Sequence, residues 1–190
     1  MTNLLTLYHN PGSRSERVRK LLEITELHHE LVRVSPEDLK SSRYLEINPL
    51  GVVPTLTHGS HTILESAAQM MYLADLVPEK GLAPPIGTPD RGCYYSLFCL
   101  SASTLEPRVA AGLRNPKDPV LRADMLEALG VLVERIEGPY CLGSEFTAVD
   151  VLVHWQLSFC AREGHLQGLP KGLSYVEALA SRLEWASSSS

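Results

Sequence analysis

The sequence predicts a two-part protein, a small α/β unit built on a mixed sheet followed by an all-helical unit. Three observations carry that reading. Up to residue 77, short β-type runs alternate with helical runs in the order β-α-β-α-β-β-α. From Pro78 to Pro89 the composition turns to proline and glycine, with Pro78, Gly81, Pro84, Pro85, Gly87 and Pro89, as in an inter-domain linker. Beyond Asp90 the β-type alternation disappears and helical periodicity takes over. The expected division is therefore 1–77, a linker at 78–89, and 90–190.

Taken in order, Asn3 to His9 set Leu4, Leu5, Leu7 and Tyr8 in an alternating run that Asn10-Pro11-Gly12 breaks, so a first strand ends near His9. A helix follows at once. Ser13-Arg14-Ser15-Glu16 has the Ser-x-x-Glu spacing of a capping box, and Val18, Leu21, Leu22 and Thr25 recur on one face. Leu31, Val32 and Val34 mark a second strand, and Pro36 to Glu46 reads as a short polar helix. Two prolines and a glycine between Ile47 and Leu56 punctuate the entry to a third strand. His58-Gly59-Ser60-His61 reads as a hairpin turn, with Thr62 to Leu64 returning. Glu65-Ser66 opens an apolar helix through Met70, Leu73, Ala74 and Val77. The second part is expected to be helical at roughly 90–112, 117–136, 147–163 and 174–185. No charged residue stands between Asp150 and Arg162, which predicts a helix buried on nearly all sides.

Composition narrows the functional classes. With 44% hydrophobic and 21% charged residues in 190 positions, the chain can bury a substantial core, which argues against disorder. A net charge of -5 argues against a nucleic-acid partner. Met1 to Tyr8 lack the features of a secretory signal, and Val151 to Ala161 is too short to span a bilayer, so a cytoplasmic protein with no membrane partner is expected. Cys93, Cys99, Cys141 and Cys160 show no C-x-x-C pairing and are expected as free thiols. His28-His29 and His58-x-x-His61 have no converging third ligand, so no metal is expected.

Three places carry chemistry. Asn10-Pro11-Gly12-Ser13-Arg14-Ser15 joins strand to helix and gathers hydroxyls and backbone N–H groups at a positive helix terminus, an arrangement that suits an anion and lowers the pKa of a thiol held there. Ser13 or Ser15 as a plain helix cap accounts for the same residues. Val53-Pro54 stands at a strand entrance. A cis peptide there would offer the backbone of residue 53 to an extended peptide, while a trans proline would simply begin the strand. Glu65-Ser66 offers a hydroxyl, N–H groups and a carboxylate, which suit a zwitterion or serve as an ordinary helix start.

Together, Ser-Arg-Ser-x-Arg-Val, Asn-Pro-Leu-Gly-x-Val-Pro-Thr-Leu and Glu-Ser ahead of a helix resemble the glutathione transferase family, and in particular its bacterial-type cytosolic members. Gly143 to Asp150 is similar to that family's capping motif, with Thr147 capping, Asp150 reciprocating and Phe146 stapling onto Val151. The resemblance implies a thioredoxin-like N-terminal domain, an all-α helical-bundle C-terminal domain that shapes the electrophile site, and a homodimer. It implies glutathione as co-substrate, with its cysteinyl backbone on Val53 ahead of a cis Pro54, its γ-glutamyl end on Glu65 and Ser66, and its thiolate receiving a hydrogen bond from Ser13. Ser15 is the alternative donor, and Tyr8 stands where some members keep a catalytic tyrosine. Bacterial relatives often carry cysteine where Arg14 stands, so mixed-disulfide chemistry on the protein is not expected. Val52 occupies a position where many relatives place Lys or Gln, and Lys40 could supply the missing contact to the glycyl carboxylate. Tyr94, Tyr95, Phe98 and Ser101 to Thr104 are candidates for the electrophile's pocket, and core packing explains them equally well.

The implied reaction is attack of bound glutathione thiolate on a small hydrophobic electrophile. A non-catalytic glutathione-binding or regulatory protein of the same fold, and a glutathione-dependent peroxidase, isomerase or disulfide reductase, are the competing readings.

Overall fold

The computed structural model describes residues 4–185. Asn3, at the start of the predicted first strand, and the Ser187–Ser190 tail lie outside them. The chain forms two compact units, one running to Lys80 and the other spanning Gly81–Glu184.

The first unit holds a four-stranded mixed sheet in the order β2-β1-β3-β4, made of β1 (Leu5–His9), β2 (His29–Arg33), β3 (Thr55–His58) and β4 (His61–Ile63). β1 runs parallel to β2 with Leu7 opposite Leu31, and antiparallel to β3 with Leu7 opposite Leu56 and Tyr8 opposite Thr55. The parallel pair requires a crossover, which α1 (Ser15–Thr25) supplies. Leu5, Leu7 and Leu56 are buried with Val18, Leu21 and Leu22 of α1, as the two periodicities require. β2 and β4 are the two edges, and on β2 Leu31 is 46% and Val32 37% accessible.

The polar helix expected over Pro36–Glu46 divides into a 3₁₀ turn at Asp38–Lys40 and a single α-helical turn, α2 (Ser42–Leu45), capped by the Ser41 side chain. α3 (Ser66–Asp75) buries Met70, Leu73 and Ala74.

The second unit contains α4 (Pro89–Cys99), α5 (Glu106–Arg114), α6 (Pro119–Glu134), α7 (Ala148–Arg162) and α8 (Pro170–Leu179). α4 and α5 are joined without a break by a π-helical stretch, Leu100–Leu105, so the predicted helix over 90–112 has a wide turn at its middle. The last helix is displaced from the expected 174–185. It starts at Pro170, because a proline at the first helical position forfeits no intrahelical bond, and it ends at Leu179. Every residue from Ala148 to Val153 is buried, so α7 is the central helix of this unit. At its start Asp150 makes the reciprocal half of the predicted motif, Oδ2 accepting from Thr147 N at 2.8 Å and from Thr147 Oγ1 at 3.1 Å, while Asp150 N donates to the main-chain carbonyl of Thr147 at 3.0 Å. Leu82 takes part in the same entry, its carbonyl accepting from Ala148 N at 2.8 Å. No helix among the described residues is long and apolar enough to cross a membrane.

Candidate functional site

The loop after β1 gathers two hydroxyls on one carbonyl. Ser13 Oγ lies 2.7 Å and Ser15 Oγ 2.9 Å from Asn10 O, the two Oγ atoms are 2.8 Å apart, and Asn10 N donates back to Ser15 Oγ at 3.1 Å. Ser15 is fully buried, Ser13 half-buried and Arg14 exposed. The Ser13–Glu16 capping box does not form. Ser13 Oγ accepts from Ser15 N at 3.2 Å, whereas the Glu16 carboxylate pairs with Arg19 at 3.0 Å. Local hydroxyl-to-backbone bonding has outcompeted the cap.

The Val53–Pro54 peptide, for which the sequence left both isomers open, is cis. The turn before it is braced from behind by a polar cluster that sequence reading missed. Tyr44 Oη and Asn48 Nδ2 donate to Val52 O at 2.8 and 2.9 Å, and Asn48 Nδ2 also reaches Thr55 Oγ1 at 2.8 Å. Burial pushes the Tyr44 hydroxyl above its ordinary pKa, so it remains a donor at neutral pH. Neither the amide nor the carbonyl of Val53 is hydrogen-bonded among the described residues. Gly51 has φ +58°, and a Cβ there would meet Leu39 O at 2.6 Å and Lys40 Nζ at 2.8 Å, so only glycine lets the Lys40 segment close on this turn. Lys40 Nζ donates to Leu50 O at 2.9 Å, which sets its ammonium beside residues 50–52.

At the start of α3, Glu65 has φ 63° and ψ 114°, a left-handed backbone that costs a non-glycine residue on the order of 1–3 kcal/mol and concentrates at functional sites. Ser66 is buried and its Oγ accepts from Arg17 Nη2 at 2.6 Å. Arg17 is itself 1% exposed, so α1 sends a buried cation to the back of the Ser66 hydroxyl. Arg17 stands inside the quoted Ser-Arg-Ser-x-Arg-Val motif, yet an arginine in a helix reads as a surface residue until its burial is seen.

These segments meet at one end of the sheet. β1 ends where β3 begins, Arg17 ties α1 to the first residue of α3, and Gln69 Nε2 ties α3 to Pro54 O at 3.1 Å and Ile63 O at 2.8 Å. Ser13, Ser15, Val53, Pro54, Glu65 and Ser66 are thereby brought together, with Lys40 at the rim. Tyr8 pairs with Thr55 at this same end of the sheet but carries its side chain on the Tyr44 side. Strand alternation turns it away from the face of Leu5, Leu7 and His9, and its ring lies 5.9 Å from that of Tyr44, in a hollow of about 280 Å³ shared with Val32, Arg33 and Arg43. His9, on the opposite face, has its pKa lowered by burial, a pull that the nearby Glu16 partly opposes.

In the second unit, Tyr94, Phe98 and Ser101 are fully buried. Of the pocket candidates on this helix, Tyr95, Ser103 and Thr104 are exposed. All four cysteines are free, and among the described residues no cluster of three or more His, Cys, Asp or Glu could hold a metal.

A cis-proline turn braced against a mixed β-α-β-α-β-β-α sheet, continued into an all-helical unit, defines a protein of the thioredoxin-like class with an added helical domain. Residues 4–75 match the glutathione S-transferase N-terminal domain family. Glutathione S-transferase GstA of Escherichia coli O157:H7 is 27% identical over 195 residues, covering 95% of this chain and 94% of that protein. Probable maleylacetoacetate isomerase 2 of Drosophila melanogaster is 33% identical over 171 residues, covering 84% of this chain and 74% of that one. A sphingomonad glutathione S-transferase, solved in complex with glutathione, superposes with a TM-score of 0.79 at 27% identity and 93% coverage of each chain. The chain belongs to the glutathione S-transferase family.

Proposed function

We propose that the chain binds glutathione along its first unit and ionises the thiol for attack on a hydrophobic electrophile. The observation that carries this reading is the meeting, at one end of the sheet, of three segments suited to the parts of an extended γ-glutamyl tripeptide. The unpaired amide and carbonyl of Val53, ahead of cis Pro54, match the backbone of the cysteinyl residue. Ser66, with the N–H groups opening α3, suits the γ-glutamyl carboxylate, and the Glu65 carboxylate suits its ammonium. Lys40, beside residues 50–52, suits the glycyl carboxylate.

The thiol would then face the start of α1. Lowering its pKa by about two units, enough to make it mostly thiolate at neutral pH, needs about 2.7 kcal/mol. One charge-assisted hydrogen bond supplies about 1.5–3 kcal/mol and a helix terminus about 0.3–1 kcal/mol, so Ser13 and α1 suffice together. Ser13 is the donor in this reading because Ser15 is fully buried and Tyr8 lies on the other face of the sheet. Residues 1–77 form the glutathione domain, and residues 90–190 supply the electrophile's contacts, with Tyr95, Ser103 and Thr104 as exposed candidates. The protein acts as a two-fold symmetric homodimer in the cytoplasm.

Titrating the protein with glutathione while following thiolate absorbance against pH tests the reading. Ionisation of the bound thiol well below its free value supports it. Binding without ionisation would indicate a carrier or regulatory protein, and absence of binding would remove the reading. The resemblance to the Drosophila isomerase favours a second reading, in which the same thiolate adds reversibly to a conjugated cis double bond, rotation follows, and elimination returns glutathione unconsumed. Isomerisation of a cis-enedione outpacing conjugation of an electrophile panel would select it.

A further inference from the structure

We infer that Ser15 is a positioning residue that acts on the thiolate through Ser13, by occupying the Asn10 carbonyl so that the Ser13 proton is free to turn outward. The inference rests on the glutathione-binding reading above.

Hydrogen-bond accounting at Asn10 carries it. Three donors converge on the Asn10 carbonyl: Ser13 N at 3.2 Å, Ser13 Oγ at 2.7 Å and Ser15 Oγ at 2.9 Å. A carbonyl oxygen offers two lone pairs, so one of the three donors is surplus. Ser13 N is fixed by the backbone. Ser15 Oγ is closed into a ring with residue 10, accepting from Asn10 N at 3.1 Å while facing Asn10 O, and it is fully buried. Ser15 Oγ also lies 2.8 Å from Ser13 Oγ, where either hydroxyl can donate. Once the Ser13 proton turns outward, Ser15 can give its own proton to Asn10 O, so Ser13, which is half-buried and accepts from Ser15 N at 3.2 Å whichever way its proton points, is the hydroxyl that can be released. Rotating that proton toward a bound thiolate leaves Asn10 O with two donors and no buried acceptor unsatisfied.

Without the Ser15 hydroxyl the count changes. Asn10 O would retain only Ser13 N besides the Ser13 hydroxyl, so the Ser13 proton would be held back by a carbonyl that has lost its other partner. The two serines, spaced so that one hydroxyl is buried and one reaches the site, thus divide the work. Ser15 satisfies the loop and Ser13 serves the thiolate.

The test is the pKa of bound glutathione in the wild type, Ser13→Ala, Ser15→Ala and the double variant, with glutathione affinity measured separately. Ser13→Ala is expected to raise the bound thiol's pKa by about one to two units. Ser15→Ala is expected to raise it by about half to one unit, about three- to tenfold less thiolate at a fixed pH below that pKa. In the Ser13→Ala background, Ser15→Ala should cause no further rise, because its effect passes through Ser13. An unchanged pKa in Ser15→Ala, or a full additional rise in the double variant, would overturn the inference while leaving the glutathione site intact. A wild type that binds glutathione without lowering its thiol pKa would overturn the parent reading together with this one.

Discussion

Replacing Asp150 should destabilise the helical unit more than any other single change to a side chain in its core. The carboxylate is fully buried and holds four donors of its own unit. Oδ1 accepts from Cys141 N at 2.7 Å and from Tyr175 Oη at 2.9 Å, and Oδ2 accepts from Thr147 N at 2.8 Å and from Thr147 Oγ1 at 3.1 Å. Burial pushes both the Tyr175 hydroxyl and the Cys141 thiol up from their ordinary pKa values, so both stay protonated at neutral pH and Tyr175 remains a donor. Asp150→Ala strands these donors at about 1–3 kcal/mol each, and water entering the void relieves part of the sum, so a loss of about 4–6 kcal/mol is expected. That is a large share of the roughly 5–15 kcal/mol available to a domain. Asp150→Asn keeps an oxygen for Cys141 N and Tyr175 but turns an amide N–H toward Thr147 N, and should cost about 2–3 kcal/mol. Urea unfolding read by Trp155 fluorescence in a Trp185→Phe background reports on this unit. The midpoint should fall without a change in slope. A loss below about 1 kcal/mol for Asp150→Ala would refute the accounting.

Arg17→Met should weaken glutathione binding about tenfold in a calorimetric titration while leaving the bound thiol's pKa unchanged, because the guanidinium supports Ser66 at the far end of the tripeptide; a thiol shift as large as that of Ser13→Ala would refute the separation of the two ends. A native-state alkylating reagent should label Cys93 and Cys99, which are exposed, and spare Cys141, whose thiol burial pushes up, and Cys160, whose pKa is pushed up to about 12; mass spectrometry finding adducts on the buried pair would contradict the packing. His154 donates from Nε2 to Val176 O and has its pKa lowered by burial below 6.5. The unfolded chain therefore binds this proton at a higher pH than the folded one. Stability from this group is complete above about pH 6.5 and declines as pH falls toward the folded value, so the melting temperature should drop faster below pH 6.5 in the wild type than in His154→Gln.

Much of the first unit could be read from the chain because its signals are local. Asn10-Pro11-Gly12 ends β1, Gly59-Ser60 turns β3 into β4, and the Leu5, Leu7 and Leu56 pattern sets the sheet faces. The Thr147–Asp150 pairing was legible for the same reason, since both partners lie within one helical turn. What escaped depends on distant partners or on competition between local bonds. Arg17 is buried because Ser66, far along the chain, receives it, and Asn48 acquires its role only when Val52 and Thr55 fold back over it. Ser13 had two equally local uses, a cap on Glu16 or a bond to Asn10, and only the geometry chose between them. Tyr8 illustrates the period-two rule at its sharpest. One residue from Leu7, it points to the opposite face and joins Tyr44.

The wide turn at Leu100–Leu105 bears on how this helix is aligned with its relatives. An α-helix advances about 100° per residue, and a π turn accommodates one residue more than an α turn does. Positions after the turn are thus rotated relative to those before it, as though one residue had been inserted. Transferring a pocket contact from a relative whose helix lacks the turn would be correct up to Cys99 and would name the neighbour of the true counterpart from Glu106 onward, unless a one-residue gap is placed within the stretch. Substrate preferences copied by column across this helix would inherit that offset.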